Sequence, residues 1–150
     1  MYRVCRKNNF NIPYGNYKNP TIIDKKHLYK ISELIKNVIF IHLDFENSFK
    51  FINDDDFVYL DPPYVPESKT SSFVGYTKDG FGLDKHIKLF ELCNDLNNIN
   101  IKFIISNSNT ELVRNSFIDN NYIIQEIECK RKINSKNPQS KTIELIIKNY

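Results

Sequence analysis

The sequence predicts an α/β layer fold with a mostly parallel sheet and a closing antiparallel hairpin. Three observations predict it. Short apolar runs, among them Val38-Ile39-Phe40-Ile41 and Phe57-Val58-Tyr59-Leu60, alternate with stretches of helical periodicity. Residues 84–97 place Leu89, Leu92, Cys93 and Leu96 on one helical stripe. Residues 122–128 and 142–147 read as two strands joined by a polar loop, 132–140.

The elements follow in order. Residues 1–20 are basic and turn-rich, punctuated by Asn8-Asn9, Pro13, Gly15 and Pro20, with Phe10, Tyr14 and Tyr17 between. Asp24 can cap a helix over 25–37 that aligns Leu28, Ile31 and Ile35. Val38-Ile39-Phe40-Ile41 is expected to be a buried strand ending at Asp44-Phe45, with a short helix from Asn47. Residues 57–60 form the next strand. A loop of about 18 residues follows, 65–82, a length that suggests a lid. The helix over 84–97 leads to a third strand at 101–106, and Thr110 caps a helix running to Phe117.

Composition narrows the class. The 150 residues are 41% hydrophobic and 26% charged, which suits one globular core. There is no apolar run of about 18 residues to span a membrane and no signal-peptide layout at Met1-Tyr2-Arg3-Val4-Cys5. Cys5, Cys93 and Cys129 are odd in number and far apart, which fits the cytoplasm or another reducing intracellular compartment. His27, His42 and His86 are equally scattered, so no metal site is expected. Charge is uneven: residues 1–36 carry eight Lys/Arg against two acids, 37–127 seven against fourteen, and 128–150 six against two. Basic ends around an acidic middle fit a polyanion held at two edges of the fold, although charge alone is more simply read as solvated faces.

Asp61-Pro62-Pro63-Tyr64 closes the strand at 57–60, at the carboxyl end where ligands gather in such sheets. A Pro-Pro pair by itself is a rigid turn, with Asp61 capping and Tyr64 in the core. The full tetrapeptide on an apolar strand points to chemistry on the amino group of a nucleobase. That nitrogen is a poor nucleophile because its lone pair is delocalised into the ring. The Asp61 carboxylate and the Pro62 carbonyl can accept its two protons and favour a pyramidal nitrogen. The prolines fix φ and bias the residue before each, which holds both acceptors in place. Tyr64 offers a stacking face worth about 1–3 kcal/mol. A base inside a duplex must be flipped out to reach such a site.

With these residues in view, the chain resembles the Dam-type DNA adenine methyltransferase family, whose catalytic motif is Asp-Pro-Pro-Tyr. The resemblance covers essentially the whole chain, in the family's order. Met1-Tyr2-Arg3-Val4, Phe10-Asn11-Ile12-Pro13-Tyr14-Gly15 and Tyr17-Lys18-Asn19-Pro20 are similar to its target-recognition block, where a β-hairpin enters the DNA groove. The resemblance implies that Arg3 reads a guanine edge, that Asn11, Pro13 and Tyr14 lie near the bases, and that Lys7 and Lys18 contact phosphate. His42-Leu43-Asp44-Phe45 resembles the segment whose Asp-Phe pair contacts the adenosine of S-adenosylmethionine, so Asp44 and Phe45, with Asp61, are the implied cofactor residues. The bland reading of that pair is a strand-ending Asp beside a core Phe. Ser72-Phe73-Val74-Gly75-Tyr76 resembles the lid, placing Phe73 and Tyr76 toward DNA. Ile105-Ser106-Asn107-Ser108 resembles a strand end, and Arg131, Ile133, Ser135 and 144–150 resemble the family's tail.

The resemblance implies part of a Rossmann-like methyltransferase fold. Residues 1–37 would be the remnant of the target-recognition region, preserving part of the hairpin, and 38–150 the C-terminal part of the catalytic domain. It implies methyl transfer from S-adenosylmethionine to the exocyclic amino group of a flipped adenine in double-stranded DNA, with no metal. Two departures stand out. None of Gly15, Gly75, Gly80 and Gly82 lies in the family's Phe-x-Gly-x-Gly cofactor loop, and Cys5 stands where relatives commonly carry Asn. The alternative is therefore a truncated, inactive remnant, or one half of a split enzyme whose N-terminal cofactor-binding half is a separate chain.

Overall fold

A computed structural model describes residues 18–19, 21–67, 80–118, 121–130 and 141–150. The chain divides into two units, Met1–His42 and Leu43–Tyr150.

In the first unit, α1 spans Lys25–Leu34. Asp24 caps it as expected, its Oδ1 accepting from the His27 amide at 3.0 Å. None of its residues is buried. The strand expected at Val38-Ile39-Phe40-Ile41 is not there: the backbone is irregular, and Ile39 is 83% exposed. Apolar character alone does not make a strand. Its N–H and C=O groups need a neighbouring ladder, and no described strand pairs with this run.

The second unit begins with α2, Phe45–Ser48, and a 3-10 turn, Phe49–Phe51. The helix starts two residues before the expected Asn47 because Asp44 is its N-cap, accepting from the Glu46 amide at 3.0 Å. Then come β1 (Phe57–Leu60), α3 (Leu83–Asn98), β2 (Lys102–Ser108), α4 (Glu111–Ser116), β3 (Ile123–Lys130) and β4 (Lys141–Lys148). Thr110 caps α4 as the sequence indicates, accepting from the Val113 amide.

The sheet order is β1-β2-β4-β3. β1 and β2 are parallel, while β2–β4 and β4–β3 are antiparallel. A mostly parallel sheet is thus not what the described residues form. The β3–β4 hairpin puts its second strand, not its first, beside β2, so two of three pairings run antiparallel. Only the β1–α3–β2 crossover keeps the parallel arrangement.

One core unites these elements. α3 contributes His86, Leu89, Phe90, Cys93 and Leu96, spaced along one face. Alternate residues Phe103 and Ile105 of β2 and Leu145 and Ile147 of β4 meet that face. Each such large side chain contributes about 1.5–3 kcal/mol by leaving water. Phe117 joins Phe90 and Tyr122 edge-on, with ring centroids 5.3 and 5.2 Å apart. α3 stops sharply because Asn100 takes a left-handed conformation, φ 60°, and the Ile101 amide returns to the Leu96 carbonyl at 2.9 Å. Asn149 then locks the bottom of the sheet. It accepts from the Phe103 amide and donates to the Ile101 carbonyl, both at 2.9 Å.

Candidate active site

Because β1 and β2 are parallel, their carboxyl ends open on one side. β1 ends at Leu60, paired with Ile105, and the chain passes directly into Asp61-Pro62-Pro63-Tyr64. Proline has no N–H for a ladder, so the strand stops there. β2 continues through Ser106, Asn107 and Ser108, which are polar and yet almost wholly buried.

Those buried groups hold the loop that follows β1. Ser106 Oγ donates to Asp61 Oδ1 at 3.0 Å. Asn107 Oδ1 accepts from the Val65 amide at 2.9 Å, and Ser108 Oγ donates to the Val65 carbonyl at 2.5 Å. From α3, His86 Nε2 lies 3.0 Å from the Pro63 carbonyl. The Tyr64 hydroxyl donates to Glu144 Oε2 of β4 at 3.4 Å. The Pro62 carbonyl has no hydrogen-bond partner among the described residues. Asp61 itself is exposed, and the two prolines and Tyr64 are half-buried. Within the tetrapeptide, Asp61 Oδ1, the Pro63 carbonyl and the Tyr64 hydroxyl are thus held, each by a different element.

Burial is the main reason the Tyr64 phenol is held above the usual tyrosine range. The Ser106 hydroxyl opposes that shift, while the Glu144 and Asp61 carboxylates add to it. A phenol so placed stays neutral and remains a donor to Glu144. Asn107 Nδ2 is buried with no partner among the described residues.

Asp44 and Phe45 take separate parts. Asp44 spends one carboxylate oxygen on its helix cap. Phe45 packs on Phe81 (centroids 5.4 Å apart), and Phe81 meets His86 edge-on at 4.8 Å, so a chain of rings links Phe45 to the Pro63 carbonyl. A hollow of about 500 Å³ opens beside α2, lined by Asp44, Glu46, Asn47, Phe49, Lys50 and Leu92. Asp61 and Tyr64 do not line it. Among the described residues no group of three His, Cys, Asp or Glu could hold a metal ion.

Of the residues assigned to DNA, Lys18 is exposed, and Arg3, Lys7, Asn11, Pro13, Tyr14, Phe73 and Tyr76 lie outside the described residues. Sequence reading gave no role to His86 or Glu144. The signal for His86 was its position on the apolar stripe of α3, three residues before Leu89, where a buried histidine must find partners. Glu144 faces the site only because β4 lies beside β2, a pairing that no local pattern announces.

These features place the Asp61 carboxylate and the Pro62 carbonyl together at the end of a parallel strand in an α/β unit. Residues 1–133 match the model of the D12 class N6 adenine-specific DNA methyltransferases, and the chain belongs to that family. It is 40% identical, over its whole length, to the Type II methyltransferase M1.LlaDCHI of Lactococcus lactis subsp. cremoris, covering 53% of that protein. It is also 40% identical to the Type II methyltransferase M.MjaIII of Methanocaldococcus jannaschii, covering 52% of it. Similarity extends to the DNA adenine methylase of Escherichia coli K12, at 30% identity over 98% of the chain and 53% of the enzyme. The chain thus spans about half the length of the curated relatives it matches.

Proposed function

We propose that the chain carries the catalytic end of a site-specific, adenine-specific DNA methyltransferase. The observation that carries this reading is the pair of acceptors at the end of β1: an Asp61 carboxylate oriented through Oδ1 by Ser106, beside a Pro62 carbonyl with no partner among the described residues. The second Asp61 oxygen and the Pro62 carbonyl accept the two amino protons of a flipped adenine. Charge that develops on that nitrogen meets acceptors already fixed in place. Tyr64 stacks on the base, and its hydrogen bond to Glu144 holds the hydroxyl end of the ring.

S-adenosylmethionine supplies the methyl group as an activated sulfonium. Of the described residues, Phe45, with Asp44 beside it, fits the nucleoside end of that molecule. No described strand is followed by a glycine-rich turn, so nothing among the described residues cradles the methionine end. Double-stranded DNA is the proposed substrate, with Arg3, Lys7, Asn11, Pro13, Tyr14, Lys18, Phe73 and Tyr76 on the DNA side. We read the sheet as part of a Rossmann-like methyltransferase sheet, with residues 1–37 belonging to target recognition and 38–150 to catalysis. The part of the relatives that the chain does not cover would come from outside these 150 residues.

The test is transfer of a labelled methyl group to adenine in duplex DNA. It is run with the chain alone and with an added polypeptide equal to the part of the Lactococcus relative that the chain does not cover. Transfer is expected with the added polypeptide. Asp61→Ala should lower it by at least about 100-fold, with DNA binding retained. Near-normal transfer by Asp61→Ala overturns the assigned role. No transfer under either condition favours an inactive remnant.

A further inference from the structure

The rigidity of the tetrapeptide is not complete in its own covalent structure. The rings of Pro62 and Pro63 fix φ at both positions, and a following proline restricts ψ of Asp61 and Pro62. Of the torsions between the Asp61 Cα and the Tyr64 nitrogen, ψ of Pro63 is the one that no proline ring restricts. It sets the plane of the Pro63–Tyr64 peptide, and with it the direction in which Tyr64 leaves the loop. The same rotation moves the Tyr64 backbone relative to the Pro62 carbonyl.

His86 acts on that torsion. Its Nε2 lies 3.0 Å from the Pro63 carbonyl. On its other side Nδ1 lies 2.8 Å from the Gly82 carbonyl at the start of α3. Phe81 meets the ring edge-on at 4.8 Å, and Phe90 lies 6.3 Å away. The side chain is 1% exposed, so water does not compete for either contact. Both facing oxygens are carbonyls and only accept, so a neutral ring donates to one of them, and the link to Pro63 takes the tautomer with the proton on Nε2.

We propose that His86 is a positioning residue for methyl transfer: it donates from Nε2 to the Pro63 carbonyl and fixes ψ of Pro63, the torsion that the two proline rings leave free. It touches neither base nor cofactor. Its effect reaches the adenine amino group through the placement of the Pro62 carbonyl and the Tyr64 ring. The inference rests on the function proposed above. A purely structural histidine would need only its contact to Gly82, inside its own helix, and its packing on Phe81 and Phe90.

Two conservative variants separate these roles. A glutamine amide nitrogen reaches the position of Nε2, and an asparagine amide nitrogen reaches only that of Nδ1. In the methyl-transfer assay with the added polypeptide, His86→Asn should lower kcat about 10- to 100-fold, with KM for DNA and for S-adenosylmethionine within about twofold of the parent. His86→Gln should stay within about threefold of the parent kcat. In parallel, the Tyr64 amide nitrogen resonance of the 15N-labelled chain should move in His86→Asn and stay in place in His86→Gln. A parent-like kcat in His86→Asn overturns the proposal, as does an equal loss in a folded His86→Gln. If the parent protein transfers no methyl group, the proposed function falls, and the Tyr64 resonance alone decides the positioning role. An unmoved resonance in His86→Asn then overturns it.

Discussion

Two apolar segments with nearly the same look in sequence end in opposite environments. Val38-Ile39-Phe40-Ile41 is irregular and open to solvent, whereas Phe103-Ile104-Ile105 runs through the centre of a sheet with Phe103 and Ile105 fully buried. β2 has a strand on each side, β1 and β4, and α3 across one face. The run at 38–41 has no ladder among the described residues. The difference teaches that apolarity sets what a segment gains from burial, while the neighbours decide whether it is buried at all.

The largest effect should come from breaking the buried member of the pair. Phe103→Ala is expected to cost about 3–5 kcal/mol in urea unfolding of the chain, while Ile39→Ala should stay within about 0.5 kcal/mol. Similar costs at both positions would break the comparison. A second, smaller effect belongs to the polar end of β2. Ser106→Ala removes one hydrogen bond to an exposed carboxylate, so kcat in the methyl-transfer assay should fall about fivefold, with a stability loss of at most about 1 kcal/mol. A loss of stability larger than the loss of rate would make Ser106 a core residue rather than an orienting one.

The smallest effect is electrostatic. The raised Tyr64 phenol means that the folded state holds this proton more tightly than the unfolded chain does. Its contribution to stability is full below the ordinary tyrosine value and is lost as pH rises through the higher folded value. Glu144→Gln should move the Tyr64 midpoint down, followed by phenolate absorbance. The midpoint should remain above the ordinary value, because burial is the larger cause. An unmoved midpoint would remove Glu144 from the site.

Much of this was legible in the sequence, for local reasons. The helix stripe of α3, the caps at Asp24 and Thr110, the strand before Asp61 and the pair of closing strands all follow from periodicity and capping chemistry. The site motif was visible because two prolines and a carboxylate after an apolar strand have few other uses. What escaped was set by non-local partners. Ser106 was expected in the third strand, with Asn107 and Ser108 at its end, but not their burial, which comes from Asp61 Oδ1 and the Val65 amide and carbonyl packed against them. His86 was one scattered histidine until Pro63 was placed beside it. The sheet was expected to be mostly parallel because a strand pattern does not say which member of a hairpin will lie next to β2.

The position of β4 has a consequence for the order of assembly. β4 sits between β2 and β3 yet follows both in the chain. A growing polypeptide therefore carries β2 with one edge open, and β3 with no described partner, until residues 141–148 have emerged. Closing contacts over that sequence distance is slow and leaves apolar strands uncovered meanwhile. Ser106 lies on the stretch of β2 that β4 covers, opposite Ile146. The stretch of β2 that carries Ser106 thus gains its second neighbour only when the last strand slides into the middle of the sheet.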